Sequence, residues 1–293
     1  MLYIIIPVYN RKDYTYSCLI SLRQQTYQKF ITIIIDDGST DGTHELLEVE
    51  FPEVYVLQGD GNLWWAGSVN MGVKYALNQN AKIILTLNND TMVENDFVEK
   101  MMYWHNIKPH ALLGAVAYSI GTGKISYGGE IVRWQSDSYL SLLLSLPEEK
   151  RKGLHEVTHF PGRGLLIPSE VFSKIGFFDE VNFPQAIADY DFTLRAARYG
   201  FKIYCNYSAK LKMYSEESAS VILRQNKNLK NYLTHLFAIK GSGNIKRFII
   251  YAFKNCPKKF LIQFLIIGLS RRIFGYPIEW IMGSFNFDKN ASR

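Results

Sequence analysis

The sequence predicts an α/β fold with a mostly parallel sheet, and three stretches carry that prediction. Residues 2–6, 31–35 and 83–87 are near-continuous runs of apolar, mostly β-branched side chains, the composition of strands buried on both faces. Each run stops abruptly at turn or polar residues: Pro7-Val8-Tyr9-Asn10, Asp36-Asp37-Gly38-Ser39 and Asn88-Asn89-Asp90. Between them the apolar residues fall at helical spacing, so strand and helix alternate through the first 90 residues, as in βαβ units. In open sheets of this kind ligands sit in the crevice at the carboxyl ends of the strands. If the three strands are neighbours, Tyr9/Asn10, Asp36/Asp37 and Asn88/Asp90 line one crevice. Taken singly, Asp, Asn and Gly after a strand are ordinary turn residues.

In chain order, residues 14–25 place Tyr16, Leu19, Ile20 and Leu22 at mostly three- and four-residue intervals, a helix for which Asp13 is the expected N-cap. The second strand runs into Asp36-Asp37-Gly38-Ser39-Thr40-Asp41-Gly42-Thr43, a turn and helix start, and a helix follows to about Glu50. Residues 54–57 form a third strand. Gly59-Asp60-Gly61-Asn62 then opens a loop through Trp64 and Trp65, and Ser68 is placed to cap a helix over 69–78. Residues 82–87 are the fourth strand, and a helix over 95–106 and a strand over 112–118 continue the alternation. Residues 125–132 are strand-like and Gly-rich. Residues 135–156 are the least regular part, and a loop of that length is usually a functional segment or disordered. Order returns with the apolar run 165–167, ended by Pro168, and a short helix over 169–175. A further helix opens at 188–195, with Asp189 and Asp191 in its first turn, where the helix dipole favours acids.

The 293 residues, 47% of them hydrophobic, can bury one large core or two smaller ones. The 14% aromatic content suits a core and carbohydrate-facing surfaces equally. The three cysteines, Cys18, Cys205 and Cys256, have no metal-binding spacing and suit a reduced, cytoplasmic compartment. The six histidines form no ligand pattern either. The first apolar run lacks a basic lead and breaks at Pro7, unlike a signal peptide. The apolar run 260–269 contains Gln263, is bounded by Lys258-Lys259 and Arg271-Arg272, and is about half the length that spans a bilayer, so no crossing is expected. The net charge of +6 is uneven: residues 224–293 hold 13 Lys+Arg against 2 Asp+Glu, and residues 1–223 hold 20 against 25. A domain division is therefore expected between 1–223 and 224–293. The basic, apolar tail suits either an anionic membrane surface or a helical cap on the rest of the chain. No nucleic-acid motif accompanies its charge.

The acids at Asp90, Asp189 and Asp191 suggest a divalent cation and a general base, because hard cations take one or two carboxylates together with substrate phosphate oxygens. The ordered set Pro7-Val8-Tyr9-Asn10, Ile35 to Asp41, Leu87-Asn88-Asn89-Asp90, Gly162-Arg163-Gly164, Gly176 to Glu180 and Asp189 to Arg195 resembles the inverting glycosyltransferases of family 2, which have the GT-A fold. The resemblance covers residues 1–215. It implies a UDP- or dTDP-sugar donor whose base is held by Asp37 with Pro7 and Tyr9, and whose diphosphate lies near Asn62, Asn88 and Asn89. It also implies Mn²⁺ or Mg²⁺ at Asp90 and Asp189 as the base. Asn88 and Ala188 stand where the family pattern has acids, and no His lies near 212–214, where one often helps hold the metal. The Asn-Asn-Asp ending resembles rhamnosyltransferases and other polysaccharide-building enzymes. The implied acceptor is a cell-wall or surface glycan, lipid-linked, met on the inner face of the membrane. Trp64 and Trp65 either stack on donor or acceptor or pack in the core. Arg163 either adds charge to the site or caps a turn. Asp191 either lines the site or pairs with Arg195, four residues on. The alternative function is a non-catalytic nucleotide-sugar-binding or scaffold protein of the same pathway, motivated by Asn88 and Ala188.

Overall fold

The computed structural model describes residues 1–214, 228–241 and 243–290, with side chains through residue 281. Four parallel strands, β1 (Leu2–Val8), β2 (Phe30–Asp36), β3 (Tyr55–Gln58) and β4 (Ile83–Thr86), lie in the order β4-β1-β2-β3. The three expected crevice strands are therefore adjacent, with Ile5 in register with both Ile33 and Thr86. Ile4, Ile5, Ile6, Ile33, Ile34, Ile35 and Ile84 are fully buried, because helices cover both faces of the sheet. One of these is α3 (Trp64–Asn78), which lies on β1, β2 and β4. It approaches closely at Gly72, where a Cβ would fall 2.6 Å from Ile5 and from Ile35.

Beyond β4 the order departs from simple alternation. β6 (Leu112–Ser119) does not pair with β4, because β11 (Leu165–Pro168) lies between them, antiparallel to both. β12 (Ile203–Met213) runs parallel to β6 and pairs antiparallel with β5 (Thr91–Val93) and β10 (Leu154–Glu156). β7 (Ile125–Tyr127) pairs with β6, and β8 (Glu130–Arg133) with β9 (Ser138–Ser141). The remaining helices of this part are α1 (Lys12–Arg23), α2 (Thr43–Glu50), α4 (Phe97–Ile107), α5 (Leu142–Ser145), α6 (Ser169–Ile175) and α7 (Ala188–Arg198).

Three local expectations change. The N-cap of α1 is Arg11, so Asp13 lies in the first turn. α3 begins at Trp64, which puts Ser68 inside the helix, buried, while its first amide hydrogens are satisfied by Asp37. Residues 135–156 are not one irregular loop, because they contain β9, α5 and β10.

The chain forms two compact units, Met1–Ile131 with Tyr139–Ser215, and Val132–Ser138 with residues 216–293. The expected division at 223 and 224 lies outside the described residues, and segment 132–138 joins the second unit rather than the first. That unit contains α8 (Leu229–Phe237), α9 (Ile245–Asn255) and α10 (Leu261–Asn290). Asn228 and Asn244 cap α8 and α9, accepting the amide hydrogens of Asn231 at 2.8 Å and Arg247 at 3.0 Å. Trp134 packs on Tyr251 and Phe264, and Phe264 on Phe248.

The expectation of a half-length apolar run is corrected here: α10 continues through Arg271-Arg272. The guanidinium of Arg272 stacks 3.6 Å over the Phe248 ring and pairs with Asp137 at 2.9 Å, so its charge is met inside the unit. Residues 258–281 are long and apolar enough to cross a membrane by length and composition, with mean hydropathy 1.2, and 17% of the most apolar window is buried. Ile262, Ile266, Phe274 and Ile278 are exposed on it.

Candidate active site

The turn after β2 is built around two buried acids. Asp36 is 1% exposed and accepts the Ser39 amide hydrogen at 3.0 Å. Asp37 is 4% exposed, and its carboxylate accepts three backbone N–H groups: Gly61 at 2.9 Å, Leu63 at 3.0 Å and Trp64 at 3.1 Å. Asp37 thereby closes the loop 59–64 over the end of β2. A Cβ at Gly59 would fall 2.5 Å from its Oδ1, which explains glycine there. A carboxylate has about four lone-pair sites, and the three backbone donors take most of them. Asn62 and Tyr9 are exposed, and Pro7 is half-buried.

The same turn forces a kink at the end of β1. Asn10 donates its amide hydrogen to Ser39 Oγ at 2.7 Å and accepts that of Thr40 at 2.9 Å, while Lys12 donates to Asp41 at 2.8 Å. Asn10 and Arg11 are held at φ 56° and 66°, a left-handed conformation costing roughly 1–2 kcal/mol per non-glycine residue. Burial pushes the Asp41 carboxyl up, but hydrogen bonds from the Thr43 hydroxyl and from the Lys12 and Thr43 amides outweigh it and hold it below its ordinary value. The kink sends Arg11 across to β4, where its Nη1 lies 3.0 Å from Asp90 Oδ2.

At the end of β4 the three residues of the expected metal motif have separate fates. Asn88 accepts a hydrogen bond from the Trp65 indole at 2.9 Å. Asn89 is 8% exposed and donates to Thr15 of α1 at 3.1 Å, so its side chain is held against α1. Asp90 keeps a quarter of its side chain exposed.

Trp65 connects this strand end to the candidate base. Its ring lies against Gly162, where any Cβ would clash with it, and packs edge-on against Phe178 at 5.3 Å. The Gly162 amide hydrogen is bound by Asp189 at 2.9 Å. Asp189 is half-buried at the start of α7 and also accepts the Tyr190 amide hydrogen at 2.9 Å. Burial raises its carboxyl above the usual range, against the two amide hydrogens and the charge of Arg163, which lower it. Arg163 sits over the Tyr127 ring at 5.5 Å, with its Nε buried and without a hydrogen-bond partner. Trp64 is partly exposed at φ 57°.

Of the two alternatives for Asp191, the structure has the pair with Arg195. Asp191 is fully buried and pairs with Arg195 at 3.0 Å, and Arg195 in turn donates to the carbonyls of Ile175 and Phe177 at 2.6 and 2.7 Å. It fastens α7 to the turn after α6 and has no surface for a substrate.

Among the described residues no three His, Cys, Asp or Glu side chains gather into a metal cage. Asp90, a single partly exposed carboxylate, fits a cation shared with phosphate oxygens of a ligand. Arg11, the Trp65–Asn88 bond and the loop-closing role of Asp37 are absent from the sequence reading. A legible signal existed for one of them: Asn10 belongs to a residue type enriched at left-handed positions, and a kink there redirects whatever follows.

The sequence model of glycosyl transferase family 2 matches residues 3–176. Glycosyltransferase GlyA of Streptococcus pneumoniae is 31% identical over 103 residues, 33% of this chain and 14% of that protein. The uncharacterized glycosyltransferase RP339 of Rickettsia prowazekii is 27% identical over 233 residues, 76% of this chain and 67% of that one. The match to S. pneumoniae GlyG spans 33% of that protein, so GlyA and GlyG reach well beyond the segment they share with this chain. Among solved structures, S. aureus TarS 1-349 in complex with UDP superposes with TM-score 0.58 at 15% identity, covering 92% of this chain and 71% of that one. GalNAc-T7 with UDP, GalNAc and Mn²⁺ gives 0.61 at 12% identity, covering 93% and 56%. At these identities the likeness is one of fold, the GT-A arrangement of a mostly parallel sheet flanked by helices.

Proposed function

This chain belongs to glycosyl transferase family 2, and from that premise we propose that it moves a sugar from a UDP- or dTDP-sugar to a hydroxyl of a growing, lipid-linked surface polysaccharide. The observation that carries the reading is the bridge made by Trp65, which joins Asn88 at the β4 end to Gly162 and, through it, to Asp189. A strand end suited to a diphosphate and a candidate base thus share one wall. Structural neighbours that bind UDP or UDP-GlcNAc support a nucleotide-sugar donor.

The chemistry is a single in-line displacement. An acceptor hydroxyl attacks the anomeric carbon as its proton passes to Asp189. The bond from that carbon to the diphosphate oxygen breaks, the electron pair leaves with the nucleoside diphosphate, and configuration inverts. General-base assistance of this kind is worth roughly 10²- to 10⁴-fold. Its half-buried setting makes Asp189 a stronger base than an exposed aspartate. Asp37 holds the loop 59–64 that would cover the nucleoside, and Arg163 supplies positive charge beside the base. A divalent cation, Mn²⁺ or Mg²⁺, held by Asp90 would supply charge neutralisation to the departing diphosphate.

The second unit supports a place at the membrane. α10 exposes Ile262, Ile266, Phe274 and Ile278 and carries Arg271, and Lys258 and Lys259 lie in the 3-10 turn just before it, a composition that partitions to an anionic interface. We assign it as a peripheral anchor on the cytoplasmic leaflet, and liposome co-sedimentation with and without residues 258–293 tests this. Equal binding by both proteins would refute it.

The transfer reading is tested by Asp189→Asn: turnover of UDP- or dTDP-sugar should fall at least 100-fold while nucleotide binding is unchanged. A scaffold protein would have no turnover to lose.

A further inference from the structure

The contact between Arg11 and Asp90 is unexplained by the fold. Both side chains are substantially exposed, 40% and 25%, and they meet through one guanidinium nitrogen and one carboxylate oxygen at 3.0 Å. Exposed ion pairs of this kind are weakly held and add little to stability. Yet the backbone that delivers Arg11 is strained, with Asn10 and Arg11 both left-handed and fixed by hydrogen bonds to Ser39, Thr40 and Asp41 of the turn after β2. Strain persists where the surrounding structure over-determines it, commonly at binding sites and switches. Asp90 is also the carboxylate suited to a shared cation, and Asn88 beside it already has its amide oxygen engaged by Trp65.

We propose that Arg11 and a divalent cation are alternative partners of Asp90, and that Arg11, once displaced, binds the diphosphate of the donor. The inference rests on the nucleotide-sugar reading and adds a residue to it. A guanidinium and a divalent cation on the same carboxylate oxygen repel one another, so binding of one releases the other. The released guanidinium is a planar, permanently charged fork that matches phosphate oxygens two at a time. It has little distance to travel, because its side chain already lies over the Tyr14 ring, 5.6 Å from the centroid, at the mouth between β1 and β4. Cation and nucleotide would then bind cooperatively, each removing a reason for Arg11 to remain on Asp90.

The test is isothermal titration of the full chain with Mn²⁺ alone, and with UDP and dTDP in EDTA or Mn²⁺, for wild type, Arg11→Gln, Arg11→Lys and Asp90→Asn. Arg11→Gln should bind Mn²⁺ alone at least threefold more tightly and bind UDP in EDTA at least tenfold more weakly. Arg11→Lys, a point charge without the fork, should fall between it and wild type. Asp90→Asn should lose the response to Mn²⁺ and bind UDP in EDTA more tightly than wild type, since its Arg11 is free. Opposite signs for the two single variants in EDTA distinguish this from a structural ion pair, which would move both in the same direction. If wild type binds UDP and Arg11→Gln leaves both affinities unchanged, the proposal is overturned and the nucleotide reading stands. Failure of wild type to bind UDP or dTDP under every condition overturns both.

Discussion

The turns after β2 and after β4 look alike in sequence, each an apolar run ending in a short polar cluster with one or two acids, yet they differ in structure. After β2 the acids are buried and their oxygens are given to the backbone: Asp36 to Ser39, and Asp37 to Gly61, Leu63 and Trp64. After β4 the acid is partly exposed, its partner is a long side chain from another strand end, and among the described residues no backbone amide donates to it. The same contrast recurs within one turn of α7, where Asp191 is sealed against Arg195 and Asp189 keeps an open edge. An acid whose oxygens are satisfied by fixed groups organises the fold. An acid left with an exposed edge is available for chemistry.

Substitutions can break or sharpen that contrast. The largest effect expected on turnover is that of Asp189→Asn, a loss of at least 100-fold with little change in the folded state. Its counterpart two residues away should behave inversely: Arg195→Ala leaves Asp191 charged and buried, and should cost about 3–5 kcal/mol of stability in denaturant unfolding. Asp37→Ala strands three backbone donors and should cost about 2–3 kcal/mol, whereas Asp90→Ala, at an exposed pair, should change unfolding by less than about 1 kcal/mol. Equal losses at 37 and 90 would erase the distinction between the two turns.

The smallest effects are in pH dependence. Burial raises the Asp189 carboxyl above its ordinary value, so the acid limb of kcat/KM should lie above the pH near 3.9 at which an exposed aspartate titrates. A raised carboxylate also contributes stability that is present below its unfolded pKa and lost as pH rises through the folded one, so ionised Asp189 weakens the fold at neutral pH. Asp41 has the opposite sign: its folded carboxyl is depressed, and its contribution, present above the unfolded value near 3.8, disappears as pH falls below it. Removing it by Asp41→Asn should flatten the acid end of the stability curve, read from thermal unfolding between about pH 2 and 5.

Much of this architecture was legible. Runs of isoleucine ending in Asp or Asn declared β1, β2 and β4, and the helix over 169–175 is found at those residues because Pro168 and Gly176 bound it. Strand direction was not legible at β11, since a buried apolar run reads the same both ways, and its insertion between β4 and β6 depends on long-range pairing. Nor was the role of Asp37, whose partners lie 24 to 27 residues away on a loop that looks merely glycine-rich. Arg271-Arg272 read as a stop for the apolar run because charges usually end one. In the structure Asp137 pairs with Arg272 and the Phe248 ring stacks against it, and the helix continues. Asp189 was legible as a helix-start acid, but its bond to Gly162 and the Trp65 ring behind it were not.

The most direct test of the crevice is the indole N–H of Trp65, which lies at 2.9 Å from Asn88 between the β4 end and the base. The chain has five tryptophans, so an amide–nitrogen NMR spectrum of the full chain should show five indole signals, assignable by single Trp→Phe variants. Adding UDP or dTDP should shift the signals of Trp64 and Trp65 and leave those of Trp104, Trp134 and Trp280 in place. Nucleotide binding that leaves Trp65 unmoved, or that moves Trp104 or Trp134 instead, would contradict a donor site at the ends of β4, β1 and β2.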